Sequence, residues 1–311
     1  MFDTIGLTIR ISRCPSFEHL VEVGWHEIFT KGYPLRKYVN NHYAYRGLKL
    51  TMSYLPKYGW KYSVECSPAS WAFGNNWNLA DEALVHTTLK EISEFASATG
   101  KISFDAFAAS VYRIDFANDI AAERNQIRHF LHSLPLIGPP RAQVELINLE
   151  SALLYPRPRN SKRRNSRKRR NWSVRFYDKG LEYQAKHGKP AEISKLRHEH
   201  SYVTSAGVKL LMNKYGLSDR LPKSLLTEEL SQRVLLNDSH TYHVSEFFDP
   251  AKYRPGFGEP VIQERSRIST FMQDYIDFGP NFYNEQPQLI SRSTYFRRLK
   301  ECQELGLLPN V

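Results

Sequence analysis

Arg157-Pro158-Arg159-Asn160-Ser161-Lys162-Arg163-Arg164-Asn165-Ser166-Arg167-Lys168-Arg169-Arg170 leads, through Asn171, into Trp172-Ser173-Val174-Arg175-Phe176-Tyr177-Asp178-Lys179. The first stretch holds nine Arg or Lys residues and no acid. Opened by Pro156 and Pro158, it reads as a solvated loop. The second stretch alternates, and residues two apart on a strand share a face. Arg175, Tyr177 and Lys179 are therefore expected on one side, with Val174 and Phe176 entering a core. A tyrosine hydroxyl is a weak nucleophile, with a reference pKa of about 10. Neighbouring cations, or a metal polarising the phosphate under attack, make it usable. A basic loop feeding such a strand points to phosphate chemistry.

The same alternation recurs on both sides. Ile5, Leu7, Ile9 and Ile11 form a half-buried strand pattern. Residues 43–54 read as strand interrupted near Gly47. Trp60, Tyr62, Val64 and Cys66 alternate with Lys61, Ser63 and Glu65, and Pro68 stops the run. Further strands are expected over Ser110–Ala117, Gln143–Leu149 and Leu196–Val203. Helical spacing falls between them. Asn78 is a candidate cap with Asp81 beside it, Val85, Leu89, Ile92 and Ala96 make a buried stripe, and Gly100 ends it. Other helices are expected over Ile120–His132, near Leu181–Lys186 up to the breakers Gly188 and Pro190, and from a Thr204 cap to Gly216. Past residue 220 the pattern turns helical, with stripes at Ile268, Phe271, Met272, Tyr275 and Ile276 and at Tyr295, Leu299, Cys302 and Leu305, where Gly306 is the stop. There is no internal repeat. The pattern is that of an α+β fold, an antiparallel central sheet flanked by helices over residues 1–220, followed by a mostly helical C-terminal region over 221–311.

Composition narrows the partners. The chain has 311 residues, 41% of them hydrophobic, enough for a sizeable core. Its net charge is +11, and the 157–170 run carries nine of those charges. A local patch of that kind favours a polyanion over a generally cationic surface. Aromatics at 13% suit stacking on unpaired bases as well as an ordinary core. Cys14, Cys66 and Cys302 are far apart and odd in number, which argues against a zinc cage or a disulfide framework and for a reducing cytoplasm. The start of the chain lacks a signal peptide's features. No apolar run approaches the ~20 residues that span a bilayer, so no membrane partner is expected.

Two more strands carry charge on one face. Arg113 and Asp115 share a side of their strand, opposite Tyr112, Ile114 and Phe116. Arg197 and Glu199 share a side of theirs. Carboxylates on adjacent strands can hold a divalent cation through oxygen, leaving positions for phosphate, and Glu65 is a third donor. The same spacing also fits a solvated sheet face with surface Arg–Asp and Arg–Glu pairs. Asp119 reads as a cap for the following helix. His198 and His200 flank Glu199, and because side chains alternate, either the histidines or Glu199 can face a site, but not both.

Val111-Tyr112-Arg113-Ile114-Asp115, Val174-Arg175-Phe176-Tyr177-Asp178-Lys179-Gly180-Leu181-Glu182 and Leu196-Arg197-His198-Glu199 resemble, in order, the motifs of the filamentous-phage replication initiators of the gene II and X family, related in pattern to rolling-circle plasmid initiators. Tyr62-Ser63-Val64-Glu65-Cys66-Ser67-Pro68-Ala69 is similar to that family's early strand and turn. Leu289-Ile290-Ser291-Arg292-Ser293-Thr294-Tyr295-Phe296-Arg297-Arg298-Leu299 is similar to a tail segment of its members. The resemblance covers roughly residues 1–305.

It implies a nickase core of the HUH-nickase kind and a replication endonuclease. Such an enzyme cuts one strand at an origin, stays joined to the 5′ end through tyrosine, and rejoins the displaced strand. Tyr177 stands where that tyrosine stands, with Tyr183 and Tyr202 as fallbacks and Lys179 beside it. Asp115, Glu199 and Glu65 would bind Mg²⁺ or Mn²⁺, or alternatively His198 and His200 would. DNA contacts would come from Arg157, Arg159, Lys162, Arg163, Arg164, Arg167, Lys168, Arg169 and Arg170, from Arg113, Arg175 and Arg197, and from Arg292, Arg297 and Arg298 on a helix over 291–305. That helix equally fits plain packing. Without a GxxxxGK[ST] loop, helicase and polymerase would come from the host.

Two rival readings share these residues. One is a non-catalytic binder or replication regulator that coats single strands. The other is a relaxase or transposase using the same tyrosine chemistry. Metal-dependent cleavage that is lost in Tyr177→Phe separates the first from an enzyme.

Overall fold

The computed structural model describes residues 1–28, 36–137, 142–148, 151–156, 171–188, 191, 193–242, 244, 248, 271 and 291–304. The basic run and, apart from Phe271, the stripe at 268–276 lie outside these residues, as do Leu305 and Gly306. The fold is α+β with antiparallel strand pairing, as the alternation predicts. The chain divides into two compact units. One takes Met1–Asn118, Arg163–Ser173 and Glu199–Leu235; the other takes Asp119–Lys162, Val174–His198 and Leu236–Val311. The division expected at residue 220 falls within the first unit's last segment. Strands distant in sequence pair with one another, so neither unit is a continuous stretch.

In the first unit β1 (Phe2–Ile11) runs between β5 (Gly59–Cys66) and β6 (Ser110–Ala121, which belongs to this unit up to Asn118). The order is β2 (His26–Glu27), β3 (Lys37–Asn40), β4 (Leu48–Leu55), β5, β1, β6. Ile5 faces Cys66 and Ile114 across its two neighbours, and Leu7 faces Val64 and Val111. All of these are buried. β4 begins only at Leu48, because a 3₁₀ turn over Ala44–Arg46 precedes it and ends on Gly47 in the left-handed region.

The long helix here, named α3 below, spans Glu82–Gly100 and lies over the sheet through Val85, Leu89, Ile92 and Ala96, as the stripe predicts. The Tyr62 hydroxyl donates to the Ala96 carbonyl at 2.8 Å. Its ends differ from the sequence reading. Asp81, not Asn78, accepts from the Leu84 N–H and caps it, while Gly100 remains helical and Lys101 takes the positive φ of 52°. Gly100 is needed for proximity instead: a Cβ there would stand 2.8 Å from the Tyr62 hydroxyl oxygen. Before α3, α1 spans Phe17–Glu22 and α2 spans Pro68–Phe73, so Pro68 opens a helix capped by Ser67 as well as ending β5.

A second run of neighbouring strands is β10 (Lys195–Tyr202), β9 (Trp172–Asp178), β8 (Ser151–Pro156), β7 (Ala142–Asn148), of which β7, β8, β9 from Val174 and β10 up to His198 belong to the second unit. Helix α4 (Arg124–Ile137) buries Ile127, Phe130, Leu131 and Leu134, and the Phe130 ring meets Phe176 edge-on at 5.1 Å. This helix starts four residues later than expected because β6 continues through Asp119 to Ala121. Helix α5 (Lys179–His187) is capped by Asp178 and stops at Gly188. Lys179 is thus the first residue of a helix, not the last of a strand. The C-terminal helix α9 (Arg292–Glu304) buries Tyr295, Leu299 and Cys302 as one stripe. Burial pushes the Cys302 thiol up to about 12.

Among the described residues, the stretch between α5 and α9 includes α6 (Ser205–Tyr215), α7 (Pro222–Leu225) and α8 (Glu228–Thr241). The Thr204 cap and Gly216 stop of α6 match expectation. Among the described residues, no helix is long and apolar enough to cross a membrane.

Asn171 fixes where the chain enters β9. Its carbonyl accepts from the Val203 N–H at 3.1 Å, and its side-chain oxygen accepts from the Thr204 hydroxyl at 3.1 Å. Gly207 allows this approach, since a Cβ there would stand 2.0 Å from the Asn171 carbonyl oxygen. The backbone must shift to admit one. Gly207→Ala is predicted to destabilise the protein by about 1–3 kcal/mol, read as a lower urea midpoint with unchanged slope.

Candidate functional site

Each unit gathers part of the predicted set. In the first, Arg113 on β6 holds two carboxylates. Its Nη2 donates to Asp115 Oδ2 at 2.7 Å, and its Nη1 lies 3.5 Å from Glu65 Oε2. The Tyr112 hydroxyl donates to Glu65 Oε1 at 2.7 Å. Gly6, next to a bulge in the β1–β6 pairing, makes room by lacking a side chain, as a Cβ there would lie 2.8 Å from the Arg113 Cβ.

Burial and Arg113 pull Asp115 in opposite directions. Desolvation dominates, with the nearby Asp3 adding to it, and raises the carboxyl to about 6 despite Arg113. Tyr112 is also raised, first by burial and then by Glu65. Arg113 is raised overall, the pull of Asp115 and Glu65 outweighing its own desolvation.

The second unit holds a tighter constellation. Arg197 has no solvent exposure. Its Nε and Nη2 donate to the two oxygens of Asp119 at 2.6 and 2.8 Å, and Lys195 Nζ reaches Asp119 Oδ2 at 2.7 Å. Asp119 is therefore a strand residue that neutralises two cations, not a helix cap. Desolvation works against its charge, but Arg197 and Lys195 prevail and hold it below the ordinary carboxylate value. Reading β6 as ending at Ala117 hid this role. Continuing the alternation from Arg113 and Asp115 would have placed Asp119 on the same face.

On β9, Arg175 and Tyr177 share a face as predicted. The guanidinium carbon lies 4.3 Å from the Tyr177 ring centroid. Arg175 Nε also donates to the Ser151 hydroxyl at 3.3 Å, from the strand that pairs Ser151 with Tyr177. The ammonium of Lys179 is 5.8 Å from the same ring and is paired with Glu182, the two lying one helical turn apart. Tyr177 is only 3% exposed and Lys179 1%. The polar side expected for these residues is largely buried.

The remaining candidates are placed as follows. His198 is buried, hydrogen-bonded through Nε2 to Asp238 at 3.1 Å and stacked on Phe176 at 4.6 Å. His200 is buried against Tyr202, their ring centroids 4.5 Å apart. Glu199 is half-buried on β10, Arg297 is exposed on α9 and Arg298 is half-buried there, while Arg292 opens that helix. Tyr183 is half-buried on α5 and Tyr202 buried on β10. The nine cations from Arg157 to Arg170 lie outside the described residues.

Among the described residues, no three His, Cys, Asp or Glu side chains are placed to hold a metal. Asp115 and Glu65, two of the expected ligands, spend their charge on Arg113. The arrangement as it stands does not fit a divalent cation.

No family model matches the chain, and no curated protein does. One solved structure, a rolling circle replication initiator protein from Geobacillus stearothermophilus, is similar at a TM-score of 0.33 and 14% identity, over 67% of this chain and 76% of that one. A likeness of that degree leaves any assignment to the chain's own residues.

Asp115 has a measurable signature. Its folded value of about 6 stands above its ordinary 3.8, so between these limits the native state binds more protons than the unfolded one. Its contribution to stability is present at low pH and lost as pH rises through about 6. Asp119 acts with the opposite sign, adding stability as pH rises through the lower range. Urea unfolding between about pH 4 and 6 is predicted to show a falling stability component that disappears in Asp115→Asn.

Proposed function

We propose that this protein is a rolling-circle DNA replication initiator that nicks one strand at an origin, with Tyr177 as nucleophile. The observation supporting this is the Arg175 guanidinium 4.3 Å over the Tyr177 ring. It sets fixed positive charge beside a phenol on a structured strand. The five-coordinate phosphorus formed during attack spreads negative charge over its equatorial oxygens, which a preorganised cation stabilises. Lys179 is also close, but Glu182 already offsets its charge, so Arg175 has the larger role.

In this reading the Tyr177 oxygen forms a bond to phosphorus as the bond to the 3′ oxygen breaks. The phenolic proton passes to solvent, and the departing 3′ oxygen takes a proton from solvent to become the hydroxyl that primes synthesis. A 5′-phosphotyrosyl link remains. Attack on that link by a 3′ hydroxyl reverses the exchange and closes the displaced strand. One phosphodiester replaces another at each step, so no nucleotide hydrolysis is needed. The 157–170 run would track the backbone, with affinity falling with salt by roughly 0.7–0.9 log units per log unit for each phosphate neutralised. Helicase and polymerase would come from the host. No step is routed through Mg²⁺ or Mn²⁺, because the carboxylates nearest to a ligand set are paired with Arg113.

Burial adds a requirement. At 3% exposure, the Tyr177 hydroxyl has to be uncovered by DNA binding before it can attack. That burial also favours the second reading, a single-strand binder in which Tyr177 is structural. A nicking assay on supercoiled DNA carrying the cognate origin separates the two. The proposal predicts a nick in wild type, no nick in Tyr177→Phe, and a rate about 10²-fold lower in Arg175→Ala. Equal nicking by wild type and Tyr177→Phe would move the nucleophile to Tyr183 or Tyr202. Intact salt-sensitive binding with no nick in any protein favours the binder.

A further inference from the structure

A cavity of about 800 Å³ opens in the first unit, lined by Arg10, Lys61, Arg220 and Tyr58 among others, with no acid among the described residues of its lining. The three cations come from separate elements. Arg10 is on β1 and Lys61 on β5, and the register sets them directly opposite each other. Like charges in direct cross-strand apposition destabilise a sheet. Arg220 joins them from the segment after α6, where its carbonyl accepts from the Val111 N–H at 2.8 Å. Among the described residues none of the three makes an ion pair.

Burial together with the Arg220 charge holds Lys61 below the ordinary lysine value. Glu65, which opposes this shift, is already engaged by Tyr112 and Arg113. Three cations converge on a concave site, where the Tyr112 ring, 4.7 Å from the Lys61 ammonium, and Glu65 offset only part of the repulsion. Such a break in local consistency is expected at a binding site. Tyr58 supplies the second element of recognition. It sits in the β4–β5 hairpin, 53% exposed, with Arg10 and Lys57 each 5.6 Å from its ring centroid. An exposed ring beside a cluster of cations suits a base stacked next to its phosphate. The volume falls within the range of small-ligand sites.

We infer that this cavity binds a nucleoside phosphate, its phosphate held among Arg10, Lys61 and Arg220 and its base against Tyr58. The source is either one residue of a single strand or a free nucleotide. The inference depends on the nickase reading only in making a strand the natural source, and none of its residues belongs to the tyrosine site.

The test follows thermal unfolding of the full chain with thymidine monophosphate, with an oligothymidylate, or with inorganic phosphate. Wild type is expected to gain stability with the mononucleotide or with the oligonucleotide alone. The former identifies a free nucleotide as sufficient, and the latter a strand. Arg220→Ala and Tyr58→Ala are each expected to weaken apparent affinity about tenfold. Lys61→Glu is expected to raise the melting temperature without ligand, by removing the like-charge pair, and to abolish the ligand's effect. A purely structural lysine would give the opposite sign. Equal shifts in wild type and all variants, or no shift with either nucleotide, would overturn the assignment. A phosphate shift matching the nucleotide's would overturn the role of Tyr58. Tyr177→Phe should keep the full nucleotide shift, so failure here and failure of the nickase reading are separately visible.

Discussion

A guanidinium with no solvent exposure has to be neutralised where it lies. In the second unit Asp119 does this for Arg197 through two hydrogen bonds, with Lys195 on the same carboxylate. An unpaired buried charge costs several kcal/mol, so removing one partner is far worse than the pair's net contribution suggests. The constraint reaches back along the chain. Asp119 must lie on β6, so that strand runs on to Ala121 and α4 starts only at Arg124. Arg113 repeats the arrangement in the first unit, with Asp115 and Glu65 as its acids. Polar faces of the strands are thus organised by arginine–carboxylate geometry.

Much of this is visible in the pattern of residues. Alternation located β5, β9 and β10 to within a residue, since side-chain period follows directly from strand geometry, while β1 starts three residues before the Ile5 at which its alternation was read. The buried stripes of α3 and α9 and the Thr204 cap were equally legible. Errors concentrated at ends. Asn78 and Asp81 are both good capping residues three apart, and only packing against the sheet selects Asp81. Lys179 follows β9 without a break in polarity, and the Asp178 cap that turns the chain there is a local hydrogen bond that periodicity does not register.

The candidate site was less legible than the fold. Sequence spacing set Asp115, Glu65 and Glu199 on polar faces, but could not say whether a cation or an arginine would claim them. Arg113 claims two. Nor does spacing report burial, and Tyr177 is covered. The cavity at Arg10, Lys61 and Arg220 went unseen for another reason. Its three cations come from three segments distant in sequence, and only strand register brings Arg10 and Lys61 together.

The central claim is that the Tyr177 oxygen becomes bonded to phosphorus. Protein incubated with an origin-containing strand and quenched in denaturant can be digested with protease and nuclease, and its peptides mass-sequenced. The account predicts a nucleotide adduct on the peptide containing Tyr177, attached at that residue. An adduct on Tyr183 or Tyr202, or a cleaved strand with no adduct on any tyrosine, would contradict it.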